Sequence, residues 1–529
     1  MSDDIKVEIE TSMDSLVPSN EPYNEQEHDE RRVTPPTKIR LEYLDGLRGI
    51  LCLIVVVHHF RCGFDPCGVF GASAKWLTDP NICIGATTFV FLAPLVNGTF
   101  SVAVFFVMSG TVLSNGLAMA EDNRWRLTVV KRYFRLLLPC AAASIFAYVL
   151  GGTMAPQEAG ALTGSKWLIE MSSERPAPAA LFNQIIFGIW HNGSTLNNSF
   201  WTMSIELFGS FVVFGLVAVL KGCTPTVSKR FLAGLFICLL VPSATMKSNV
   251  NIELEWQRNG DTAEVLINPY YHANLLQTLG TLSLSMKDTA PDKWYDKDPE
   301  EDPLKKKKKL NNDGLISELF HSHATNSYDR MELVRTKEWE TTNPFIWYAT
   351  FVAGVWITEH NLRLGGPKSL KNWQTGLLVL VTYICATYPL MGFWMTANPV
   401  WRVMKSLAGN FGLGFASFIL YYIIGAVCLV QLVVSTPRIR KFLSSPICRW
   451  FGQISFSLYL THIPIIYTLS TNIFLFLQGP LSMSVASCVA FVLTFPVMLG
   501  IAVTFEHFID KPSLIASANI GKYLLGMVS

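Results

Sequence analysis

Arg48 and His59 flank the apolar run Ile50–Val57, eleven residues apart in a stretch that reads LDGLRGILCLIVVVHHF. Eleven helical steps of about 100° return to within about 20° of the starting direction, so a helix here carries both side chains on one face. The rise between them is about 16 Å, and the neighbouring His58 points about 80° away. An ionisable group among apolar residues costs about 3 kcal/mol or more in lipid, so it marks a partner or a function. A neutral imidazole can take a proton from a hydroxyl or act as a nucleophile, and the spacing leaves both open. The guanidinium can orient an anionic group or stabilise a developing oxyanion. The bland reading is a histidine held by hydrogen bonds in helix packing.

Four further stretches carry chemistry-bearing residues at helical spacing. Ser109 and Gly110 in FFVMSG leave a slot where a backbone or a ligand can approach closely. Arg132 and Arg135, followed by Pro139, share a face three residues apart, and paired guanidinium forks suit phosphate or anionic headgroups. Trp201 and Glu206 open another apolar run, where the carboxylate needs a partner such as Arg48. Tyr459 and His462 sit together in SFSLYLTHIP.

These residues need apolar helices to position them, and the composition supplies such helices. Of 529 residues, 50% are hydrophobic and 16% charged, against about 25% charged in soluble domains. The expected fold class is an all-α integral membrane protein. Segments of about 20 apolar residues fall at roughly 44–61, 99–118, 134–152, 201–220, 230–246, 344–359, 375–394, 412–434, 453–474 and 484–505, about ten spans. Short loops rich in Arg and Lys, such as the one ending in Lys131 and Arg132 and the one holding Arg438, Arg440 and Lys441, place both termini in the cytosol. The sequons at Asn97, Asn192 and Asn197 then fall in external loops, as do Cys62, Cys67 and Cys83, among which a disulfide can form. No cysteine or histidine spacing suggests a metal. The net charge of +2 gives no reason to expect nucleic acid.

The chain divides into a disordered cytosolic tail (1–40), a first membrane part (41–246), a polar insertion (247–343), a second membrane part (344–515) and a short tail (516–529). The insertion carries the run Lys305–Lys309 and no motif; it is expected to be disordered and extracytoplasmic.

Taken in order, the elements resemble the type-3 membrane acyltransferase family. Leu44–Gly49 with the Arg48/His59 pair, Phe105–Gly110, Arg132/Arg135/Pro139, Trp201/Glu206, and Gly452/Ser455/Tyr459/Leu460/His462 each match a family element. The ending Asp510-Lys511-Pro512-Ser513 and the polar tail are similar to fungal members. The resemblance implies an O-acyltransferase that moves an acyl group, acetyl above all, from acyl-CoA to a hydroxyl of a glycan, lipid or metabolite. Acetyl-CoA would be a co-substrate, with no permanently bound cofactor. His59 and Arg48 would be catalytic, and Arg132, Arg135, Ser109 and Gly110 would meet the donor. Trp201, Glu206, Tyr459 and His462 would be further cavity residues. The protein would reside in the plasma membrane or an endomembrane. The competing reading is a transporter with Arg48, His59 and Glu206 as a relay, though no internal repeat of the kind common in transporters is present.

Overall fold

The computed structural model describes residues 41–70, 77–78, 94–118, 125–151, 156–171, 178–190, 197–245, 250–258, 261–267, 332–340, 345–362, 367, 369–394 and 416–526. The 1–40 tail, Cys83, Asn192 and most of the insertion lie outside them. The long helices are α1 (Glu42–Phe64), α2 (Gly98–Ala118), α3 (Trp125–Leu150), α4 (Trp201–Leu220), α5 (Pro225–Thr245), α6 (Phe345–Leu362), α7 (Asn372–Trp394), α8 (Ala416–Ser435), α9 (Pro446–Ile465), α10 (Met483–Phe505) and α11 (Lys511–Leu524). Apolar runs become helices in lipid because a helix satisfies its own backbone. Each of the ten expected spans falls on one of these helices. Among the described residues, six uninterrupted stretches are long and apolar enough to cross a membrane. They become seven if α8 and the short helix Pro437–Leu443, bent by 93°, count as one broken span. The bend has a local cause: Thr436, ahead of Pro437, is extended at φ −111° and ψ 106°, as a residue before proline prefers.

Helices α1 and α9 run side by side, and their glycines explain how. A Cβ on Gly49 would come within 2.6 Å of the Gly452 nitrogen, and one on Gly452 would strike the Asp45 carbonyl. One on Gly46 would strike the carbonyl of Leu443. The backbones therefore touch, as small residues allow in membrane helices. The contact continues in register: Cys52 Sγ donates to the Ser455 carbonyl at 3.1 Å, and His59 meets His462, both pairs separated by 403 residues. Positions 49, 52, 56 and 59 follow the a–d spacing of a parallel coiled-coil seam, with 452, 455, 459 and 462 opposite. Replacing Gly452 by leucine should force the two helices apart. We expect the thermal transition of the detergent-solubilised protein to fall by an amount equivalent to about 1–3 kcal/mol or more. An unchanged transition would contradict the contact.

A proline in α9 is answered from across the bundle. Pro464 has no N–H for the Leu460 carbonyl one turn earlier. Asn197 Nδ2 donates to that carbonyl instead, at 2.8 Å, while its Oδ1 caps Ser199 ahead of α4. Asn97 is placed similarly: its Nδ2 donates to the Ala386 carbonyl at 2.7 Å and to Tyr422 Oη at 3.0 Å, and its Oδ1 accepts from the Phe100 nitrogen. With 2% and 1% of their surface exposed, Asn97 and Asn197 are structural. Both side-chain amides are committed inside the fold, so neither sequon is open to glycosylation in this structure. Cys67 is disulfide-bonded, whereas Cys62 is a free, buried thiol.

Three segments of the insertion are among the described residues. Strands β1 (Val250–Arg258), β2 (Asp261–Ile267) and β3 (Glu332–Glu340) form an antiparallel sheet in the order β2-β1-β3, with Val250 opposite Glu340. These three segments find backbone hydrogen-bond partners in one another although they are polar.

Candidate active site

Helices α1, α2, α3, α4 and α9 line a partly open cavity of about 200 Å³. That is smaller than the roughly 300–1,000 Å³ of pockets that swallow whole ligands. Its wall includes Arg48, Ser109, Arg132, Arg135, Glu206 and Tyr459, so six residues from five separate sequence elements meet. Glu206 is tied to α3 and α2: it pairs with Arg132, and Ser109 Oγ donates to the same carboxylate oxygen at 2.5 Å. Arg132 also donates from Nε to Ser210 Oγ at 3.0 Å. The expectation that Arg48 could serve Glu206 is corrected. Arg48 instead approaches Asp45, one turn back on its own helix, at 3.5 Å and remains 39% exposed.

Arg135 pairs with Asp510, lies within 3.3 Å of Ser513 Oγ, and sits over the Phe456 ring at 5.3 Å. Asp510 ends a single π-helical turn, Glu506–Asp510, between α10 and α11. Such turns are frequent at functional sites. The wall thus presents three guanidinium groups and one carboxylate. Each guanidinium has five N–H donors, so the pairs with Glu206 and Asp510 hold the forks in place without exhausting them. A cavity so lined suits an anion.

His59 lies farther along α1 and is not part of that wall. Its Nδ1 is 2.8 Å from Nε2 of His462 on α9, and its ring stacks on Trp167 at 5.8 Å with planes 9° apart. Tyr459 links the two regions: it lines the cavity, and its ring centroid is 5.8 Å from that of His462. Its hydroxyl donates to the Ser199 carbonyl at 3.2 Å and lies 2.8 Å from Thr202 Oγ1. His58, as the helical angle requires, turns elsewhere; its Nδ1 is 3.0 Å from the Val96 carbonyl.

Gly110 and Trp201, like His59 and His462, are placed outside the cavity. Gly110 faces α6, where an added Cβ would strike the Phe351 carbonyl, and Gly354 returns the contact against Val107. The small residue serves helix packing, which corrects its expected contact with a donor. Trp201 packs on Trp347 at 5.7 Å. Conversely, the sequence does not single out Trp167 or Thr202, and it marks Asp510 only within the ending Asp510-Lys511-Pro512-Ser513, not as a site residue. An acid closing the last apolar run, where it must find a cation, was the available signal for Asp510. Trp167 sits on a six-residue helix, Lys166–Met171, between spans and carries no such signal.

A family model described as an acyltransferase domain matches residues 41–260 and 323–505, more than half of the chain. The protein belongs to this family, the type-3 acyltransferases, and with its apolar helices it is a multi-pass membrane acyltransferase. The break in the match falls within the polar insertion. No curated protein and no solved structure matches the chain significantly.

Proposed function

We propose that the protein is an acyl-CoA-dependent O-acyltransferase that moves an acetyl group from acetyl-CoA to a hydroxyl of a carbohydrate, lipid or small metabolite. The observation that carries this reading is the cavity lined by Arg48, Arg132 and Arg135 beside the helix that holds His59. Coenzyme A is a phosphate-rich anion with a long flexible arm. Guanidinium forks bind its phosphates through charge-assisted hydrogen bonds, and Arg48 orients the donor. The helical rise of about 16 Å from Arg48 to His59 is comparable to the reach of the pantetheine arm.

In the reaction His59 takes the proton of the acceptor hydroxyl as its oxygen attacks the thioester carbonyl. The new C–O bond forms, the C–S bond breaks, and the departing thiolate recovers the proton from the imidazolium. Arg48, about 16 Å back along α1, holds the donor rather than the oxyanion formed between these steps. With both termini in the cytosol, the donor enters from the cytosolic end of α1.

The purified protein in detergent should bind labelled acetyl-CoA saturably. Vesicles with the Arg126–Lys131 side outward should consume donor added outside. No saturable binding would remove the acyl-CoA reading. A comparison of acetyl esters in cell wall, lipids and metabolites with and without the gene identifies the acceptor class.

A further inference from the structure

His462 has no exposed surface, lies outside the cavity wall, and is held between Tyr459 and His59. Its two ring nitrogens have different neighbours. Nδ1 is 3.1 Å from the Leu458 carbonyl, one turn back on α9. A carbonyl only accepts, so Nδ1 carries a proton. A neutral imidazole has one N–H, which leaves Nε2 with its lone pair. That lone pair faces His59 Nδ1 at 2.8 Å, so His59 Nδ1 is the donor. His59 in turn keeps its lone pair on Nε2. The opposite arrangement would need a doubly protonated His462, an imidazolium sealed from water against a carbonyl and a neutral ring.

We propose that His462 is a positioning residue for acyl transfer: bonded to the Leu458 carbonyl, it fixes His59 in the Nδ1–H form and so presents Nε2 as the base. This rests on the reading of His59 as the base given above. The geometry behind it belongs to the backbone. The touching glycines Gly49 and Gly452 set the distance between α1 and α9, and the seam then brings residues 59 and 462 opposite each other. Trp167, stacked nearly parallel on His59, restrains rotation of the ring. When Nε2 takes the acceptor's proton, the Nδ1–H bond to His462 becomes charge-assisted and strengthens. It holds the imidazolium in place until the thiolate takes the proton back.

The test uses the full-length protein in detergent with His462→Leu, His462→Gln and His59→Ala. Leucine removes the acceptor, whereas the glutamine carbonyl reaches the place of Nε2 and restores it. His462→Leu is expected to lower kcat about 100-fold with the KM for acetyl-CoA unchanged, and His462→Gln to recover most of that loss. Nitrogen-15 NMR of histidine-labelled wild type should show His59 protonated at Nδ1, independently of whether any variant folds. Wild-type kcat in His462→Leu, equal loss in a folded His462→Gln, or an Nε2–H signal for His59 would overturn the proposal. Activity retained in His59→Ala would instead remove the base reading itself. A dead His59→Ala beside a fully active His462→Leu removes only the positioning role.

Discussion

Replacing His59 by alanine should reduce kcat for acyl transfer by about 10²–10⁴-fold, the usual worth of a positioned general base, in a protein that still inserts and folds. His58→Ala should do the reverse, disturbing the fold more than the chemistry. The two rings are adjacent in sequence but have different surroundings. His58 Nδ1 is 3.0 Å from the Val96 carbonyl, and a Cβ added to Gly98 would meet its ring at 2.5 Å, so His58 joins α1 to the start of α2. Among the described residues, His59 has ring contacts with His58, Trp167 and His462. Transfer rates with a hydroxyl acceptor, measured beside thermal unfolding in detergent, separate the two effects. Equal loss of rate in both variants, with both as stable as wild type, would undo the assignment of the base.

Arg132 carries the second large effect, and its ion pair makes the outcome two-sided. It is 20% exposed and pairs with Glu206, itself 13% exposed, on the neighbouring helix. Removing the guanidinium alone leaves a carboxylate unpaired inside the bundle, a loss of about 3–5 kcal/mol. It also removes charge-assisted donors worth about 1.5–3 kcal/mol each to a bound phosphate, so acetyl-CoA affinity should fall tenfold or more. Arg132→Met combined with Glu206→Leu separates the terms: stability should return, because no charge is stranded, while donor affinity stays low. Arg132→Lys should be intermediate, since the ammonium keeps the charge but loses the fork. Titration with labelled donor and unfolding curves for the single and double variants check both. A double variant that binds acetyl-CoA as tightly as wild type would reduce Arg132 to a structural partner of Glu206.

What could be read from the sequence was whatever depends on one helix at a time. The apolar runs marked helices α1 to α10 but not α11, and the eleven-residue spacing set His59 apart from His58, because about 100° per residue is a property of the chain itself. Relations between helices were hidden. Glu206 required a cation, but nothing in its neighbourhood names Arg132, 74 residues away, over Arg48. Gly110 announced a close approach without saying that Phe351 would fill it. The sequons at Asn97 and Asn197 are tripeptides and carry no record of burial. The freed carbonyl that Asn197 serves arises from Pro464, whose position opposite it appears only on folding. The insertion did leave a local trace, since Val250, Ile252, Leu254 and Trp256 alternate with polar residues and Asn259-Gly260 is a hairpin dipeptide between β1 and β2, whereas the pairing of β1 with the distant β3 left none.

The seam between α1 and α9 also sets when the protein can work during its own synthesis. The histidines that meet there are 403 residues apart. At about 5–20 residues per second, His59 waits on the order of 20–80 s in the growing chain before His462 is made. A polypeptide released between Glu206 and Pro446 carries the first helix, the arginines of α3 and Glu206, yet has neither the ring that meets His59 nor Tyr459 at the cavity wall. Asp510 arrives later still. The order of translation therefore holds the enzyme silent until almost the last helix has left the ribosome.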